Sequence, residues 1–110
     1  MNARNPIFDI DSTMQSDAPT HIEDWRNYVL LSQKGLLRID QLFQKAEELQ
    51  NKGEVDNAII LYSEWLANSE DPNKHIAAFN FGSLLQSAGS LQDAEQAYRL
   101  SQQLNPRLPQ

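Results

Sequence analysis

One motif is written twice in this chain, and the interval between the two copies is what most limits the fold. Gly53, Ala58 and Tyr62 recur as Gly89, Ala94 and Tyr98, each 36 residues on. The copies run from Leu42 to Pro72 and from His75 to Pro106. Each reads as two amphipathic stretches folded back on a glycine. In the second copy Phe81, Gly82 and Leu85 share one helical face, and Ala94, Tyr98 and Ser101 share another. Gly89 lies between them, where a chain leaving a helix needs a left-handed residue. Pro106 stops the second helix. Pro72 to Pro106 is only 34 residues, so the two extra residues fall in the turn Asn68-Ser69-Glu70-Asp71. An insertion there moves no side chain to the wrong face of a helix.

A helix–turn–helix with a period near 34 residues resembles a tetratricopeptide (TPR) array. The second unit carries Ala78, Phe81, Gly82 and Leu85, then Ala94 and Tyr98, then Pro106. The first carries Leu42, Lys45, Ala46 and Leu49, then Ala58 and Tyr62, then Pro72. Lys45 stands where the pattern is usually large and apolar, and Trp65 where it is usually small. The resemblance covers Ile39 to Pro106. It implies an all-α fold, an α-α superhelix (a right-handed TPR solenoid) of two helical hairpins, here with an N-terminal capping helix. Packing physics agrees. Two helices approach to about 8–10 Å only with small residues at the crossing, and Ala46, Ala58, Gly82 and Ala94 supply them. Leu42, Leu49, Tyr62, Trp65, Phe81, Leu85 and Tyr98 are then the core.

The expected organisation is an arm over residues 1–19, a capping helix over 20–35, a first unit over 36–72, a second over 73–106, and over 107–110 the start of a further repeat or a tail. The group Ile7-Phe8-Asp9-Ile10 has the look of a short binding segment. Thr20 and Glu23 form a capping box that opens the first helix. Ile22, Trp25, Val29 and Ser32 form its stripe, extended by Tyr28 and Leu31. Lys34 falls in its last turn and Gly35 ends it. Leu36 or Ile39 starts the next helix. Asp71-Pro72 reads as the start of the fourth, with Asp as the cap and Pro in the first turn. Ala97, Leu100 and Leu104 of the last helix are expected to lack cover, as in a truncated array or one completed by a second copy.

Charge is unevenly spread. The net charge is −6, and residues 40–71 hold two lysines against eight carboxylates. That disfavours nucleic acid and anionic membranes as partners. No apolar run approaches the roughly 18 residues that a membrane span requires, and the N-terminus shows no secretory h-region. With no cysteine there are no disulfides or thiolate metal sites. A cytoplasmic location fits these features.

No residue pattern specifies catalysis, and no cofactor or metal is expected. Gly35, Gly53, Gly82 and Gly89 are too scattered to cradle a phosphate. His21 and His75 each stand at a helix start without a second ligand and read as surface residues. Glu47 and Glu48 are adjacent, about 100° apart on a helix, and cannot act as one acid–base pair. The chain reads instead as a non-catalytic protein-interaction module. From helical phase, Asp40, Phe43, Glu47, Gln50 and Asn51, with Ile76, Phe79, Asn80, Ser83, Gln86 and Ser87, line a concave groove for a peptide or partner protein, and the acidic first unit reads either as a solvated surface or as a docking face for a basic segment. The carboxylate clamp of some TPR co-chaperones is missing, since Phe43, Glu47, Phe79 and Ser83 stand at the matching places. Asn80-Phe81-Gly82 and the residues from Ser90 to Pro106 are similar to repeats of bacterial SPINDLY-type O-linked GlcNAc transferases. That likeness implies an alternative role as the substrate-recruiting segment of a larger enzyme. Homo-oligomerisation through the last helix is the third expectation.

Overall fold

A computed structural model describes the backbone over residues 17–105 and the side chains over residues 25–105. Within that range the chain is all-helical. The order is α1 (Asp17–Gln33), α2 (Ile39–Asn51), α3 (Val55–Asn68), α4 (Lys74–Ser87) and α5 (Leu91–Leu104). Helices α2 and α3 form one antiparallel pair, α4 and α5 a second, tighter one. The pairs meet chiefly through α3 and α4, and α1 packs along α3. The reading of residues 1–16 and 106–110, including the Ile7–Ile10 group, falls outside the described range, as do the side chains of His21 and Ile22.

The turns within the pairs follow from glycine. Gly53 and Gly89 adopt φ of 78° and 86°, a region that costs L-residues about 1–2 kcal/mol. In both, the glycine N–H bonds three residues back and the next N–H bonds five residues back. These are Gly53 to Gln50 (3.0 Å) with Glu54 to Leu49 (2.8 Å), and Gly89 to Gln86 (3.0 Å) with Ser90 to Leu85 (2.9 Å). This Schellman closure satisfies the last helical carbonyls. The same pattern ends α1 at Gly35, with Leu36 bonded to Leu31.

Helix α2 shows why its sequence folds this way. Leu42, Lys45, Ala46 and Leu49, one stripe at helical spacing, are its buried residues. Ala46 and Ala58 are wholly buried at the α2–α3 crossing. Leu42, Leu61 and Trp65 fill the space beside them. Trp65 is too large for a crossing of small residues, yet it is only 1% exposed. Its indole N–H donates to the Leu37 carbonyl at 2.7 Å, so its polar edge is satisfied where its body is buried. Lys45 reaches its own solution. Its ammonium lies 2.9 Å from Glu48 Oε1 and 5.0 Å from the centre of the Tyr28 ring.

Several sequence expectations need correction. Helix α1 begins at Asp17, so Thr20 lies inside it and does not cap it. Pro19 is no obstacle there, because first-turn N–H groups have no helical acceptor. Leu31 is exposed, since it lies well round the helix from the Trp25–Val29–Ser32 stripe; Ser32 itself is 1% exposed. Lys34 follows the last turn of α1, and its N–H bonds to Leu30. Asp71 does accept a bond from the Asn73 N–H, at 2.7 Å, but only closes a turn, and α4 starts at Lys74. His75 is half-buried, with Nδ1 enclosed and unpartnered. Ala97 is buried against Leu85 and Ala94, and Leu100 is half-buried. Only Leu104 of that trio is exposed.

Candidate functional site

The first helices of the two pairs, α2 and α4, flank an open trough of about 330 Å³. Phe43, Glu47 and Gln50 form one wall, one helical stripe of α2 at i, i+4 and i+7. Asn80, Ser83 and Ser87 form the other, on α4, with Leu84 and Tyr62 as the floor. Six of the eleven phase-selected residues are therefore brought together. Leu84 and Tyr62 were not among them. Tyr62 belongs to the core as well, as its helical phase predicts, and is 4% exposed. Its ring sits between Phe43, 6.5 Å away between centroids, and Phe81, stacked at 5.6 Å. Burial pushes its hydroxyl up to about 12, partly offset by a hydrogen bond with the Asn80 side chain. That bond also holds one side of Asn80 toward the trough floor.

Five expected residues lie elsewhere. Asp40 is turned toward Arg38, 3.0 Å away. A hydrogen bond from that guanidinium holds its carboxyl below the usual range. Asn51 borders a shallow depression with Gln44, Glu47, Glu48 and Lys52, on the outer flank of α2. Phe79 and Gln86 face α5. The Phe79 ring lies 5.2 Å from that of Tyr98, and Gln86 Oε1 accepts from the Tyr98 hydroxyl at 2.9 Å. Phe79 precedes Asn80 directly, and that step alone is about 100° around a helix. Ile76 lies in the first turn of α4 and is exposed.

A larger trough of about 540 Å³ lies between the second helices, α3 and α5. Ile59, Leu66, Phe81, Leu85, Ala97 and Leu100 give it an apolar lining, with Ser63, Asp93 and Gln96 at its polar places. Helical phase alone could not find it, because it depends on how far α3 and α5 diverge. Its one sequence signal was the apolar run Ala97 and Leu100, read as uncovered.

No protein-family model, no curated protein and no solved structure matches the chain. The site must be judged on its own chemistry. Among the described residues no three His, Asp or Glu side chains converge on a metal position. Nor is any helix among them long and apolar enough to cross a membrane. The α2–α4 trough offers amides (Gln50, Asn80), hydroxyls (Ser83, Ser87), one carboxylate (Glu47) and an aromatic edge (Phe43). Amides both donate and accept, which suits an extended backbone.

Proposed function

We propose that the chain is a tetratricopeptide-type interaction module, without catalysis of its own, that binds a peptide segment of a partner protein in the α2–α4 trough. The observation that carries this reading is the convergence of Phe43, Glu47 and Gln50 with Asn80, Ser83 and Ser87 on one open channel. The motif written twice at 36-residue spacing supports the family assignment. Three Schellman-closed turns and small residues at both crossings support it further.

The test is binding of an immobilised library of acetylated nonapeptides to the folded chain. Ser83→Tyr fills the trough from an exposed position and is expected to abolish capture. Leu91→Tyr, at an exposed place outside it, is expected to leave capture intact. Equal capture by both variants would move the site off the trough.

A second reading, self-association, rests on the exposed side of the second pair, where Phe79 is 55% exposed beside Tyr98. Tyr62, the counterpart of Tyr98 in the first pair, is covered there by Phe81. Sedimentation over a wide concentration range tests it: a monomer throughout removes that role.

A further inference from the structure

We infer that the segment held in the α2–α4 trough carries a lysine or arginine whose charge rests on Glu47 and whose stem or plane lies against Phe43. This rests on the peptide-binding reading above. Phe43 and Glu47 are four residues apart on α2, so their side chains are neighbours on one wall. Phe43 is half-buried and Glu47 exposed. No cationic residue lines the trough. The two lysines of α2 and its C-cap point their ammonium groups at Glu48 instead, at 2.9 Å and 3.2 Å. Glu47 makes no ion pair among the described residues.

The chain itself shows what this pairing of groups accepts. On another flank of α2, Lys45 lies between the Glu48 carboxylate and the Tyr28 ring. A carboxylate satisfies the charge there, and a ring face offers its negative quadrupole to the cation while covering the stem. Phe43 and Glu47 present the same two groups to a guest. Of the residues that line the trough Glu47 alone is charged, and the chain as a whole carries a net charge of −6. A peptide carboxylate or phosphate would meet that field unfavourably, so complementarity selects a basic segment. Ser83 and Ser87 face its backbone, together with the Gln50 amide, whose nitrogen also donates to the Ala46 carbonyl at 3.3 Å, and the Asn80 amide, which is also bonded to Tyr62. Arginine and lysine share the charge, and arginine adds a plane that stacks on a ring.

The experiment uses the nonapeptide library with one central position fixed in turn as Arg, Lys, norleucine and Glu, read by fluorescence polarisation on the full chain. The Arg and Lys pools should bind roughly threefold to tenfold tighter than the norleucine pool, with the Glu pool weakest. Glu47→Gln should remove that preference, and Glu47→Lys should reverse its sign. Glu95→Gln changes net charge equally but is exposed on α5 beside Arg99, so it should leave the preference in place. Helicity by circular dichroism confirms that each variant is folded. Peptide binding with no cation preference, or a preference that survives Glu47→Gln, overturns this inference and leaves the peptide-binding reading standing. Capture of no pool at all overturns both.

Discussion

Tyr98 lies so close over Gly82 that a β-carbon on the glycine would stand 2.8 Å from the tyrosine ring. This contact sets how near α4 and α5 can come, and the α4–α5 pair is the more closely packed of the two. Gly82→Leu should cost about 1–3 kcal/mol through overpacking. Gly82→Ala should cost less, because alanine returns about 1 kcal/mol of helix propensity. The decisive comparison is a double-mutant cycle by urea denaturation. With Tyr98→Ala in the background, Gly82→Ala should become stabilising. A Gly82→Ala effect identical in both backgrounds would show that the ring contact does not limit the approach.

Trp65 ties the entry of α2 to the last turn of α3 through its bond to the Leu37 carbonyl. Ser101, 36 residues on, does the same job in the second pair, donating to the His75 carbonyl at 2.8 Å. The two residues differ in size but perform one function at one register. Trp65→Phe keeps an aromatic body and removes the donor, leaving a buried carbonyl without its partner. A loss of about 1–3 kcal/mol is expected in denaturant melts. An unchanged midpoint would mean that the ring alone accounts for Trp65.

Legibility in the sequence tracked the range of the interaction that decides each feature. Gly53 and Gly89 announced the turns because a left-handed residue is a local demand. Leu42, Ala46 and Leu49 announced the buried face of α2 because phase within one helix fixes it. The trough was half legible. Phase placed Phe43, Glu47, Asn80 and Ser83, but Phe79 and Gln86 went to Tyr98, a residue on another helix whose position no single-helix wheel contains. Tyr62 was missed as a trough residue because one ring serves core and floor together. Lys45 departs from the repeat pattern; its partner Glu48 is local, but the Tyr28 ring that covers it comes from another helix and lies outside any single-helix pattern. The α3–α5 trough depends on how two helices diverge, so the sequence shows only one side of it, at Ala97 and Leu100.

The Lys45–Glu48 pair gives the fold an acid sensitivity. Hydrogen bonds from Lys45, then Lys52, hold the Glu48 carboxyl below the usual range. A carboxylate with a depressed folded pKa contributes stability above its unfolded value, about 4.3. That contribution disappears as pH falls through the folded value. Thermal melts should therefore show declining stability below roughly pH 4.5, and Glu48→Gln should flatten part of that decline. Lys45→Met should be tolerated, because a flexible apolar chain fills the same buried space without needing a counter-ion. Lys45→Ala should destabilise by leaving a void under Tyr28. If Lys45→Met were the more damaging of the two, the charge and not the packing would be holding α1 and α2 together.

At the alkaline end the sensitive group is Tyr62, with its hydroxyl pushed up to about 12 by burial. The sign is opposite in kind. An acid whose folded pKa exceeds its unfolded value, about 10, leaves stability unaffected below that value. Stability is then lost as pH climbs from about 10 toward about 12, since the unfolded chain gives up its proton first. Tyrosinate absorbance should accordingly include a later phase that rises toward about pH 12, and Tyr62→Phe should delete that later phase. Asn80→Ala should move that phase higher still, because the Asn80 hydrogen bond favours the ionised form. A later phase unaltered by Asn80→Ala would break the link between Tyr62 and the α4 wall of the trough, and with it the argument that Asn80 is held in place for a ligand.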